Sequence, residues 1–267
     1  MKKGNYVFQE SCGCQCLIKA IDRYIEKADN DLSKTLDDAG FVNAEDSVDS
    51  IADLEDKLAE VLTDQTTDIE KTILATGDLT AALKVVEEFF AEDETRQRLV
   101  EALKEFYEEN VPTLSTVYIQ EAEDDLVVSQ IRQRTVSWIK SWSDDLADLM
   151  QLTSKEQIES FISSALKKGE GVEDLKRQLV VDGIRNEEYR ARATSITEML
   201  RAHSVAREEA IQQSPATDRK GWLHSGGRGI TPRENHVAMN GQIVAKEKPF
   251  TLYGRDGSTY HPMYPRD

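Results

Sequence analysis

The side chains of this 267-residue chain that could carry chemistry are four histidines, three cysteines and a sparse set of basic residues. His224, His236 and His261 all fall within residues 219–267. Three converging imidazoles could hold a divalent metal, and Arg233 among them would suit a phosphate, which outlines a metal-dependent nuclease or toxin-like hydrolase. Against that outline, no Asp, Glu or His pair stands at ligand-like spacing, and the only carboxylates there to act as a base are Glu234, Glu247, Asp256 and Asp267. No metal and no cofactor is therefore expected, and these histidines with Arg233 are expected to hydrogen-bond turn backbone. His203 lies on a helical apolar stripe with Ile196, Met199 and Leu200 and reads as a satisfied core histidine. Cys12, Cys14 and Cys16 lack the paired spacing of a zinc site and read as spare, reduced thiols. Ser225-Gly226-Gly227-Arg228-Gly229 lacks the strand–loop–helix setting of a nucleotide site and reads as a loop. No catalytic residue is expected. Arg228, Arg233, Lys246, Lys248 and Arg255 remain as contacts to phosphate or to an acidic partner.

The elements that must position these residues are mostly helices. Residues 17–214 show one helical stripe after another. Ile51, Leu54, Leu58, Val61, Leu62, Ile69 and Ile73 form the first, with Ser50 and Asp53 as its capped start and Gly77-Asp78 as its break. Leu79, Leu83, Val86 and Phe90 form a second. Leu99, Leu103, Phe106 and Tyr107 form a third, which Pro112 is expected to end. Ile131, Thr135, Trp138, Trp142 and Leu149 share one face, the two tryptophans reading as a helix–helix seam. Thr153 and Glu156 predict a capping box and a fresh helix behind it. A short helix over Val172, Leu175 and Leu179 follows, and Asn186 is expected to cap a long helix through Ala210.

At Ser214-Pro215 the composition changes. Residues 219–267 hold seven of the fourteen glycines and four of the six prolines. Short β-type pieces appear at 221–224, 242–244 and 250–253, with turn chemistry at 254–257. The expected fold is mainly α: an elongated helical body followed by a small α+β C-terminal module. Net charge is −17, but residues 219–267 carry eight Lys/Arg against four Asp/Glu, so the preceding residues hold −21. Such a body repels nucleic acid at long range. No apolar run approaches bilayer-spanning length and no secretory leader is visible, so the protein is expected to stay where it is made or to be assembled there, with no membrane partner.

The run from Trp222 to Gln242 resembles the bacteriophage Mu F-like head-morphogenesis (minor capsid) family. Its pattern of a Trp, a loop, Arg-x-x-His and Gly-Gln is met by Trp222, Arg233, His236, Gly241 and Gln242; Glu247, Pro249, Phe250 and Met263-Tyr264-Pro265 continue it. Arg192, Ile196, Thr197, Glu198, Ala202 and Arg207 are similar to the family's upstream helix. Gly229 stands near a position where the family often has Asp. The resemblance covers about residues 155–267. It implies a low-copy structural protein of the virion that binds portal and capsid subunits inside the head near the portal vertex. Such a protein assists assembly, DNA packaging or DNA delivery, is made in the host cytoplasm, and reaches packaged DNA, if at all, through the C-terminal module. Trp222, Arg233, His236, Gly241, Gln242, Pro249 and Phe250 would then hold the module together. Gly241, following Asn240, is expected in a backbone conformation that a Cβ opposes. The corresponding division is an extension (1–16), a helical body of unassigned role (17–150), the helical part of the Mu F-like domain (151–214) and its small α+β module (215–267).

Overall fold

The structure, a computed structural model, describes residues 29–91, 94–121, 123, 125–171, 175, 187–222, 234–253 and 260–263. The cysteines, Asn186 and Leu179 lie outside them. The chain is mainly α. Among the described residues, six helices precede the module: α1 (Asp29–Asp38), α2 (Ala44–Thr76), α3 (Leu79–Ala91), α4 (Glu94–Gln120), α5 (Gln133–Lys168) and α6 (Glu187–Gln213). The module holds β1 (Arg219–Gly221), the four-residue α7 (Glu234–Val237), β2 (Ile243–Ala245), β3 (Phe250–Tyr253) and β4 (Tyr260–Met263). β1 pairs antiparallel with β2, and β3 with β4. Among the described residues, no helix is long and apolar enough to cross a membrane.

Among the described residues, the apolar stripes produce two separate cores. The larger joins Leu32 and Leu36 of α1, Ile51 to Leu62 of α2, Leu99 to Ile119 of α4, Ile139, Ala147 and Met150 of α5, and Ala191 to Ala210 of α6. The smaller joins Ile69 and Ile73 of α2, Leu79, Ala82 and Val86 of α3, Ile158, Ile162 and Ala165 of α5, and Leu175. Each fully buried aliphatic side chain stabilises the fold by about 1.5–3 kcal/mol before entropy is counted. α6 packs on α2 and α4, so the helix carrying the upstream family motif is central to the body.

Several local expectations are corrected. Pro112 does not end its helix; it lies inside α4. The Glu108 carbonyl loses its usual donor, but Glu108 is exposed, where water can serve that carbonyl. Burial of Val111, Leu114, Tyr118 and Ile119 beyond the proline outweighs the cost. Ser50 and Asp53 do not start α2, which begins six residues before Ser50, at Ala44 behind Asn43. Thr153 is not a cap, because α5 runs straight through it and its hydroxyl donates back to the Leu149 carbonyl (2.8 Å). The buried face of α5 is Thr135, Ile139, Ser143, Ala147, Met150, Ser154 and Ile158; Trp138 and Trp142 flank it, and Leu149 is exposed. By contrast, Gly77 (φ 64°) does close α2, and Asp78 accepts hydrogen bonds from the backbone N–H of Thr80 and Ala81 at the start of α3.

Candidate functional site

The C-terminal module is seated on the last turns of α6. Glu208 and Glu209 fall within a buried run with Val205, Ala206 and Ala210, so both carboxylates are carried into the interior. Buried carboxylates require donors. Lys220 of β1 supplies one to Glu208 at 2.7 Å, and Gln212 supplies another at 3.0 Å. Glu209 accepts from Thr135 Oγ1 (2.6 Å), Gln213 Nε2 (2.7 Å) and the backbone N–H of Arg132 (2.8 Å), with the Arg132 guanidinium beside it. Burial acts to raise the Glu209 pKa, yet these hydrogen bonds and Arg132 outweigh it and hold the carboxyl below its ordinary value. A second set of bonds closes the joint. Lys246 Nζ donates to the Ser214 carbonyl (2.9 Å), Gln212 donates to the Lys246 carbonyl, and Ser214 Oγ donates to Glu123 (2.6 Å).

Inside the module, Trp222 meets Phe250 edge to face at 5.3 Å, and Phe250 is fully buried. The backbone N–H of Trp222 donates to the Gln242 carbonyl, and that of Gly241 donates to the Trp222 carbonyl, both at 2.9 Å. Gly241 has φ 79°, the left-handed conformation expected of it after Asn240. Gln242 then links the two sheets. Its Oε1 accepts from Thr251 N–H (2.7 Å) and its Nε2 donates to the Thr251 carbonyl (3.2 Å). The amide thus serves both backbone hydrogen-bonding groups of Thr251, the residue paired with Pro262 in the β3–β4 register. Pro249 is half-buried just before Phe250.

The upstream motif residues are also engaged in packing. Ile196 and Ala202 are in the larger core. Arg192 pairs with Glu55 (2.9 Å) and Asp29 (3.0 Å), tying α6 to α1 and α2. Glu198 accepts from Tyr107 OH, Trp142 Nε1 (2.7 Å) and Arg201 Nε (3.2 Å). Burial, then the Glu198 charge, pushes the Tyr107 hydroxyl well above its usual range. Arg207 lies over the Tyr118 ring at 4.6 Å and donates to the Gly40 carbonyl. His203 is the satisfied core histidine the stripe suggested: Ser47 Oγ lies 3.0 Å from Nε2 and Tyr118 OH 2.9 Å from Nδ1. Burial, reinforced by Arg207, lowers its pKa to about 4, so the ring is neutral at physiological pH.

Of the residues the sequence put forward for binding, Lys248 is exposed and Lys246 is engaged by Ser214. Arg228, Arg233, Arg255 and His224 lie outside the described residues. His236 and His261 are placed only by their backbone, in α7 and β4. Among the described residues, no group of three His, Cys, Asp or Glu is poised to hold a metal. Sequence reasoning missed the structural part played by Glu208, Glu209 and Lys220. The available signal was an acidic pair set inside a helical apolar stripe.

Comparison with known proteins agrees with this placement. The family model described as Phage Mu protein F like protein matches residues 156–261, the span from the second half of α5 into β4. The uncharacterized protein YqbB of Bacillus subtilis (strain 168) is 34% identical over 178 residues, 67% of this chain. The chain spans 57% of that relative's length. No solved structure matches. Over residues 156–261 this chain is therefore similar to the Phage Mu protein F like family.

Proposed function

We propose that this chain is a phage head-morphogenesis protein, a minor structural component of the virion that binds portal and capsid subunits on the inside of the head. The observation that carries this reading is the family match over residues 156–261, which takes in both the α6 motif helix and the module. The geometry is in keeping with it. Glu198, Arg192, Arg207, Trp222, Gln242 and Phe250 are all engaged in internal contacts, as a structural role for the motif requires. An acidic helical body with many exposed carboxylates stays clear of packaged DNA by charge repulsion. Attachment near the portal vertex, and help with assembly, packaging or delivery of DNA, is the finer part of the proposal.

The test is co-expression of the tagged chain with the portal and major capsid proteins of the same phage. Recovery of either protein at fixed stoichiometry after size exclusion supports the reading. A chain that elutes alone, with both candidate partners folded and present, refutes it.

A further inference from the structure

α2 and α5 are 33 and 36 residues long, and each runs through both hydrophobic cores. On α2 the larger core ends at Leu62 and the smaller begins at Ile69; on α5 the corresponding limits are Met150 and Ile158. Between those limits both buried stripes turn polar. Gln65 takes the stripe position on α2 and Ser154 takes it on α5. Among the described residues, Gln65 Nε2, Gln151 Nε2 and Gln157 Oε1 are buried with no hydrogen-bond partner. Thus a polar seam separates a distal lobe (the end of α2, α3, and the end of α5) from the main body.

The helices are also locally weakened at this level. Thr153 Oγ1 donates back to the Leu149 carbonyl (2.8 Å) and Ser154 Oγ to the Met150 carbonyl (3.1 Å), while the Thr66 hydroxyl shares its one hydrogen between the Leu62 carbonyl (3.0 Å) and Glu187. Hydroxyls that bond four residues back compete with the helical ladder and favour bending. Arg190 adds a guanidinium to the same turn of α5, donating to the Met150 carbonyl (3.2 Å) and to Ser154 Oγ (3.1 Å); a side chain bonded into the ladder is a recognised site of kinks. The first turn of α6 therefore holds both long helices at the seam, Glu187 by accepting from Thr66 (2.8 Å) and Arg190 by donating to α5.

We propose that this seam is a hinge about which the distal lobe swings as a unit, with the first turn of α6 as its latch. A dry apolar layer would lock two lobes by shape complementarity. A layer holding unpaired glutamine amide atoms gains no such lock, and those atoms can find partners as the helices change their relative angle there. The inference stands on these contacts alone and is independent of the head-assembly reading.

The test is a pair of spin labels on the full chain with Cys12, Cys14 and Cys16 changed to Ser. One label is placed on the distal lobe (Lys84→Cys) and one on the body (Glu101→Cys), with distances read by double electron–electron resonance. A control pair lies within the body (Asp53→Cys and Glu101→Cys). The expected result is a distribution clearly broader across the seam than within the body, broadening again in Arg190→Ala and narrowing in Gln65→Leu with Ser154→Ala. A cross-seam distribution as narrow as the control overturns the proposal in the otherwise unaltered chain, whether or not the seam variants fold.

Discussion

Lys220 Nζ sits 2.7 Å from Glu208 Oε1, with the two side chains only 1% and 4% exposed, so the first strand of the module is fastened to the central helix of the body by a buried ion pair. Removing one partner strands the other charge away from water. Lys220→Ala is therefore expected to cost about 3–5 kcal/mol, while the double change Lys220→Met with Glu208→Leu should cost far less because neither charge remains. Chemical denaturation of the single and double variants distinguishes a charge-pairing joint from simple packing.

Gln242 is expected to behave as a surrogate strand. Gln242→Ala removes the partners of both Thr251 backbone groups and should lower stability by about 1–3 kcal/mol, with the loss concentrated in β3 and β4. Amide exchange at Thr251 is the readout. Unchanged protection in the variant would mean that the side-chain amide is incidental.

At Gly241 the strain is one of backbone rather than of space, since an added Cβ would meet nothing within 4 Å. Gly241→Ala should cost about 1–2 kcal/mol, Gly241→Asn less, and the β-branched Gly241→Val the most. Thermal melts of the three variants should follow that order; a neutral Gly241→Val would contradict it.

These cases also show what a sequence reader could and could not see. The mainly α character followed from stripes such as Ile51 to Ile73 and Leu99 to Tyr107, because a long apolar period is insensitive to single residues. Asn240-Gly241 announced a left-handed turn because only a short list of residues adopts one. Pro112, Ser50 and Thr153 misled because each is a local signal that tertiary burial overrode. Nothing in the local pattern pairs Glu208 with Lys220, Glu209 with Thr135 or Glu198 with Tyr107. Glu198 and Tyr107 lie 91 positions apart and meet only once α4 and α6 pack. Periodicity shows which face is buried, not which polar groups meet there.

The His203 ring links stability to pH with a definite sign. Its folded pKa is about 4, below the ordinary value of 6.5, so the unfolded chain binds the extra proton first as pH falls. The stabilisation is complete above pH 6.5 and is lost progressively down to pH 4, amounting to about 3 kcal/mol. Glu209, with its lowered pKa, acts in the same direction at lower pH. The difference between the native chain and His203→Gln isolates the histidine. The native chain should lose more stability than the variant between pH 7 and pH 4, and parallel curves would show that the ring does not titrate in this way.

The assignment to head assembly is tested most directly by quantitative mass spectrometry of purified, nuclease-treated phage heads. Peptides spanning both the helical body and residues 156–261 should be recovered at a fixed, low ratio to portal protein, and should remain after washing in high salt. Heads that contain portal and major capsid protein but no peptide from this chain, at any stage from procapsid to filled head, would contradict a structural role in the virion.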